Sequence, residues 1–137
     1  MLGRGRVAFF AVPGAFTPGC SRVHLPGYVQ NLGRLRASGV DTVACVAVND
    51  AWVLQAWADS QGAEGILMLA DGNAAFTRAM GLEADMSGYG LGIRSKRYAA
   101  IVEDGVVTSL EVEAKGGIDV SSCESMLTRL GTGSSAT

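Results

Sequence analysis

Three short runs rich in apolar and β-branched residues, each followed by a stretch with helical spacing, constrain this chain most. Val7–Val12, Val40–Val48 and Gly65–Ala70 lack the polar alternation of a strand with one wet face. Runs of that kind are strands covered on both sides. Pro13-Gly14 stops the first, Asn49-Asp50 the second and Asp71-Gly72 the third. After Pro26-Gly27, which should kink or restart a helix, Tyr28, Leu32 and Leu35 recur at helical spacing up to Ser38-Gly39. Asn49 or Asp50 can cap a helix running from Ala51 to about Ser60, and Asn73 opens a short one through Ala75, Phe76 and Met80. Such alternation predicts an α/β fold whose central sheet has parallel neighbours and helices on both faces. Gly81 to Ile93 is glycine-rich and reads as a surface loop. Arg97–Val102 and Val106–Val112 follow as an antiparallel hairpin closed by Glu103-Asp104-Gly105, so the sheet is mixed. A last helix is expected from about Ser121 to Leu130, packing Met126, Leu127 and Leu130.

The 137 residues suffice for one core, here residues 1–130, with 131–137 a flexible small-residue tail. A formal net charge of −2 gives no general attraction to nucleic acid or anionic lipid, so neither is expected as a partner. No apolar run approaches membrane-spanning length. The opening Met1-Leu2-Gly3-Arg4-Gly5-Arg6 is no signal peptide on this reading, because the apolar run behind it is short and Pro13 interrupts it. Cys20, Cys45 and Cys123 are far apart, with no Cys-x-x-Cys pair. That pattern suits neither a disulfide framework nor a zinc site, and fits free thiols in a reducing compartment, cytoplasm or organelle interior, rather than secretion.

The chemistry concentrates at the end of the first run, in Pro13-Gly14-Ala15-Phe16-Thr17-Pro18-Gly19-Cys20-Ser21. Thr17 followed by Pro18 is a helix start: a hydroxyl at the N-cap, then proline where its missing N–H costs nothing. Cys20 is then the third helical residue, where unpaired N–H groups and the helix dipole favour a thiolate over a thiol. His24, the only histidine, stands four residues on and invites a cysteine–histidine nucleophile and base, but nothing supplies the third group that orients such a base. Its alternative is a hydrogen-bonded histidine beside the kink. Trp52 and Trp57 read as core or interface packing.

The spacing Pro-x-x-x-Thr-x-x-Cys, with Arg22-Val23-His24-Leu25-Pro26-Gly27 behind it, resembles the active-site signature of the type II (peroxiredoxin V) subgroup of the peroxiredoxins. Further similar segments follow in order: Ala44–Val53, Leu69–Gly72, Arg94–Tyr98 and Val102–Gly105. The resemblance implies a thioredoxin-like sandwich, which is also what parallel strands followed by a hairpin and a helix describe. Members usually carry a further N-terminal segment before the strand that begins here near Arg6, and the sequence departs from them there.

By resemblance, Cys20 is a peroxidatic cysteine that reduces hydrogen peroxide and small alkyl hydroperoxides and becomes a sulfenic acid. Thr17 and the Cys20 backbone N–H serve as donors to the departing oxygen, Pro13 walls the site, and no metal or haem is used. The guanidinium expected beside the sulfur is Arg97, with Arg94 the alternative. Three sources of the resolving thiol stay open: an external thiol from glutathione, glutaredoxin or thioredoxin; Cys123, at a helix start that favours thiolate; or Cys45, in a strand whose burial should raise its pKa. The family further implies a homodimer formed near the active site. A non-enzymatic, redox-sensitive thioredoxin-fold binding module is the other reading.

Overall fold

The computed structural model describes residues 5–17, 19–114 and 118–136. Five strands form the main sheet: β1 (Arg6–Val12), β2 (Thr42–Ala47), β3 (Leu67–Ala70), β6 (Tyr98–Glu103) and β7 (Val106–Val112), in the order β3-β2-β1-β6-β7. β1 pairs in parallel with β2, and β2 with β3. β6 runs antiparallel to both β1 and β7. The mixed sheet expected from the apolar runs is therefore present, with β1 at its centre.

The centre is dictated by composition. Val7 through Val12 are all buried, which only a strand covered on both faces permits. Side chains alternate between two cores. Ala8, Phe10 and Val12 enter the larger one with Cys20, Leu25, Tyr28, Trp57 and Met126. Val7, Phe9 and Ala11 enter a smaller one with Tyr98, Phe76 and Leu82. Phe10 stacks on Tyr28 with ring centroids 3.9 Å apart.

The helical segments differ from the sequence pattern in instructive ways. Past Cys20 the chain makes a π-helical turn, Cys20–His24, before α1 (Leu25–Gln30) and α2 (Leu32–Ala37), which break at Asn31. Pro26 cannot donate to the carbonyl four residues back, and the widened turn, with Leu25 N–H donating to Cys20 O, absorbs the misfit in place of a sharp kink. α3 (Ala51–Gln61) is capped by Asp50, whose carboxylate accepts from Val53 N–H at 2.8 Å. α4 (Ala75–Ala79) takes its cap from Asp71 rather than Asn73: the carboxylate accepts from Phe76 N–H, Thr77 N–H and Thr77 Oγ1 at 3.0, 2.7 and 2.6 Å. Burial works to raise the Asp71 pKa, but these bonds outweigh it and hold the carboxyl below its usual range.

The stretch 81–93 is not a plain loop. It holds β4 (Glu83–Asp85) and a 3₁₀ turn at Ser87–Tyr89, and β4 pairs antiparallel with β5 (Ile93–Ser95) as a separate two-stranded sheet. The hairpin between β6 and β7 turns at Asp104 and Gly105, both with positive φ. Helix α5 spans Cys123–Ala136, past the Leu130 at which the tail was expected, because a formed helix adds one backbone bond for each residue it fixes. Trp57 is fully buried, whereas Trp52 is 84% exposed. Among the described residues no helix is long and apolar enough to cross a membrane.

Candidate active site

The C-terminal end of β1 delivers the chain into residues 13–17, where a few hydrogen bonds fix the loop. Ala15 N–H donates to Asn49 Oδ1 at 2.9 Å, so the asparagine that ends β2 anchors this loop rather than capping α3. The Thr17 carbonyl accepts from Ser21 N–H at 2.9 Å, the first bond of the helix, as an N-cap residue's should. Its hydroxyl differs from expectation: Oγ1 donates to Gly14 O at 2.6 Å, and among the described residues it caps no helical N–H. With its single proton given away, Thr17 faces any further partner as an acceptor and not as a donor. Pro18, expected at the first helical position, lies outside the described residues.

Cys20 is fully buried at the start of the π turn. Arg97, which leads into β6, donates from Nη2 to Cys20 Sγ at 3.4 Å. The register explains how residues 77 apart in sequence meet: Ala11 on β1 pairs with Tyr98 on β6, so the end of one strand and the start of the other share a level of the sheet. The second amino group, Nη1, lies 2.9 Å from His24 Nδ1, and the buried Arg97 Nε has no partner among the described residues. Arg94 is spent elsewhere, donating from Nε to Leu91 O at 2.9 Å and from Nη1 to Val48 O at 3.0 Å. The two arginines thus separate: one is on the sulfur, and the other braces the loop between β4 and β5 against the end of β2.

His24 is buried, and both ring nitrogens are occupied. Nε2 lies 2.9 Å from Ser121 O, and Nδ1 faces Arg97. Burial is the main reason that its pKa falls to about 4; the bond to Ser121 and the Glu113 charge oppose the fall, and the Arg97 charge assists it. Neither nitrogen is turned to Cys20 Sγ, so the arrangement lacks the nucleophile–base bond of a cysteine hydrolase. Ser121 O also accepts from Tyr28 Oη at 2.9 Å, while Ser121 N–H and Oγ donate to Glu113 Oε2 at 2.8 and 2.6 Å.

Two further features escaped the sequence reading. A Cβ placed on Gly19 would lie 3.3 Å from Arg97 Nη2, so the residue before Cys20 is small where the guanidinium passes. Trp57 Nε1 donates to Ser21 Oγ at 2.9 Å, tying α3 to the residue after the cysteine. Only a glycine beside a reactive cysteine could have signalled the first, and nothing in the spacing signals the second. A groove of about 860 Å³ adjoins the site, walled by Pro13, Thr17, Met86, Leu91, Arg97 and Val112.

All three cysteines are buried free thiols in the larger core. Cys45, paired with Phe10 and Met68 across the sheet, has its thiol pushed far up by burial, as its place in an apolar run predicts. Cys123 corrects expectation. It does open α5, yet burial, with the Glu124 charge beside it, pushes its thiol up to about 12. The helix terminus does not compensate for lost solvation there.

Comparison with known proteins adds to this geometry. The redoxin family model matches residues 2–127. The chain is 52% identical over 134 residues to a chloroplastic peroxiredoxin-2E-2 of Oryza sativa subsp. japonica, covering 94% of this chain and 60% of that protein. It therefore spans about three fifths of that relative's length. With peroxiredoxin-2C of the same species the identity is 44% over 126 residues, covering 91% of this chain and 78% of the relative. Among solved structures, reduced Prx3 of Vibrio vulnificus in complex with H2O2 superposes with a TM-score of 0.94 at 53% identity, covering 97% of this chain and 82% of the other.

Proposed function

We propose a thiol-dependent peroxidase acting through Cys20, from one premise: this chain belongs to the redoxin family and, among its members, to the type II peroxiredoxins. The observation that carries the reading is the Arg97 guanidinium 3.4 Å from the Cys20 sulfur. Its N–H groups are in place for the charge that develops on the departing oxygen.

The thiolate attacks one oxygen of a hydroperoxide. A sulfur–oxygen bond forms as the oxygen–oxygen bond breaks, both electrons of the broken bond leave with the distal oxygen, and that oxygen takes a proton to become water or an alcohol. Sulfur is oxidised to a sulfenic acid. Arg97 donates to the reacting oxygens, with its unpartnered Nε adding to the field. Thr17 Oγ1, whose proton is held by Gly14 O, accepts from the hydroperoxide O–H and orients it. Pro13 limits water around the sulfur. The apolar side chains of Pro13, Met86, Leu91 and Val112 beside the site suit small alkyl hydroperoxides as well as hydrogen peroxide.

For the second half of the cycle we favour an external thiol, from glutathione, glutaredoxin or thioredoxin. It condenses with the sulfenic acid, releasing water and leaving a mixed disulfide that a second thiol reduces. The raised, buried thiols of Cys45 and Cys123 support this, because attack requires thiolate and access. A reducing compartment, including an organelle interior, suits such a cycle, and the rice peroxiredoxin-2E-2 is named chloroplastic. Phe16, Val23, Trp52 and Tyr89, exposed on segments next to the site, support a homodimer formed there.

Intact-mass measurement after brief exposure to one equivalent of peroxide tests the proposal. Wild type should gain one oxygen, as should Cys45→Ser and Cys123→Ser, while Cys20→Ser should not. Loss of two hydrogens that disappears in Cys20→Ser and in one other variant would name an internal resolving cysteine. Oxidation of Cys20 no faster than that of an ordinary free thiol would overturn the peroxidase.

A further inference from the structure

His24 lies between two segments that are far from it in sequence. On one side is Arg97, whose Nη1 meets Nδ1 at 2.9 Å; on the other is the backbone of Ser121, whose carbonyl lies 2.9 Å from Nε2. The valences leave one assignment. A guanidinium has only protons to offer, so Nδ1 is the acceptor; a carbonyl has none, so Nε2 carries the proton. The ring is therefore neutral, and a second proton would set two donors against each other. Phe10 packs against the ring with centroids 4.8 Å apart, and Tyr28 lies 5.7 Å away and donates to the same Ser121 carbonyl. These aromatic walls leave the imidazole little room to turn.

We infer that His24 is a positioning residue for the Cys20 reaction: it fixes the direction of the Arg97 guanidinium and refers that direction to the backbone just before α5. The inference rests on the peroxidase reading, in which Arg97 touches the reacting atoms and His24 does not. A guanidinium held only by the sulfur is free to rotate about its long stem. Held also at Nη1, it keeps Nη2 on Sγ, and its plane is fixed by two points 73 and 77 residues away in sequence. Ser121 is in turn tied by its N–H and Oγ to the Glu113 carboxylate, and Glu113 N–H donates to Arg97 O at 2.9 Å. The connections close into a ring through Arg97, His24, Ser121 and Glu113, so the guanidinium is referenced to its own backbone.

Two conservative variants separate the halves of the imidazole. His24→Asn keeps an acceptor where Nδ1 stood and loses the bond to Ser121; His24→Gln keeps a donor where Nε2 stood and loses the acceptor for Arg97. The quantity read is the rate of Cys20 with peroxide divided by its rate with iodoacetamide, an alkylation that makes no use of a guanidinium aimed at an oxyanion. Misplacement of a catalytic group by about an ångström costs on the order of a hundredfold, so that ratio should fall by about as much in His24→Gln and far less in His24→Asn, while melting temperature falls in both. Equal ratios in the two variants, or no change in either, would overturn the inference and leave His24 a packing residue. Because His24 is the only histidine, long-range nitrogen–proton NMR of the wild type gives a second test that no folding defect can blur. Nε2 must carry the ring proton, and a proton on Nδ1 overturns the assignment. Wild type lacking any preference for peroxide would instead sink the peroxidase reading, with the tautomer still deciding how Arg97 is held.

Discussion

Acidification between pH 7 and pH 4 should destabilise this protein through a single side chain. In the fold the His24 pKa is lowered to about 4, chiefly by burial, whereas in the unfolded chain it stands at 6.5. Below pH 6.5 the unfolded chain takes up a proton that the folded one refuses, so the stability present above pH 6.5 declines as pH falls, until the folded ring is itself protonated near 4. At 1.36 kcal/mol for each pH unit of that window, the full loss is about 3 kcal/mol. More than half of it falls above pH 5, where the carboxylates remain ionised. Asp71 and Glu113, both held below their ordinary range, add their own losses only at lower pH. For a domain of this size such a loss corresponds to a melting temperature lower by roughly 10 °C. Urea titrations followed by Trp57 fluorescence, at half-unit steps of pH, should give an unfolding free energy that rises with pH across the window and is level above 7. In His24→Gln the rise should vanish. A level profile in the wild type between pH 6.5 and 5, or an undiminished slope in the variant, would refute the assignment of a buried neutral imidazole.

Two further substitutions distinguish stability from chemistry. In Gly19→Ala the new methyl would stand 3.3 Å from Arg97 Nη2 and press on the guanidinium, while alanine suits a helix better than glycine by up to about 1 kcal/mol. The melting temperature should hold or rise while the peroxide rate falls, and a rate equal to wild type would show that the crowding is harmless. Asp71→Ala removes three hydrogen bonds from the start of α4 and should cost about 1–2 kcal/mol in calorimetry, with the peroxide rate preserved because the site lies on other elements.

Much of this architecture was legible from residue order because the strands that organise it are chemically plain. Val7–Val12 has no polar position, so it had to be covered on both faces, and Asp104-Gly105 admits few conformations besides a tight hairpin. The helix start before Cys20 was legible in the same way. What stayed hidden depends on packing. Strands β4 and β5 have three residues each, too few to establish a period, and their glycine-rich surroundings resemble a loop. The π turn arises from a donor that Pro26 lacks, a local deficit that the chain can meet by kinking, restarting or widening. For Cys123, position along a helix can be read in sequence while burial cannot, and burial decides its thiol. The spacing places His24 one turn from Cys20, but its partners come from positions 73 and 97 residues away. Such pairings exist only once the sheet has formed.

The pairing of β1 with β6 also orders events during synthesis. Cys20 is made 77 residues before Arg97, which joins it only when β6 lies down beside β1. Contacts so distant in sequence form late, after the local turns and helices are in place. A growing chain that has released β1, β2 and β3 but not β6 therefore carries a cysteine with no cation beside it. The contact between Arg97 and Cys20 waits until β6 has been translated, and a chain truncated before residue 97 never forms it.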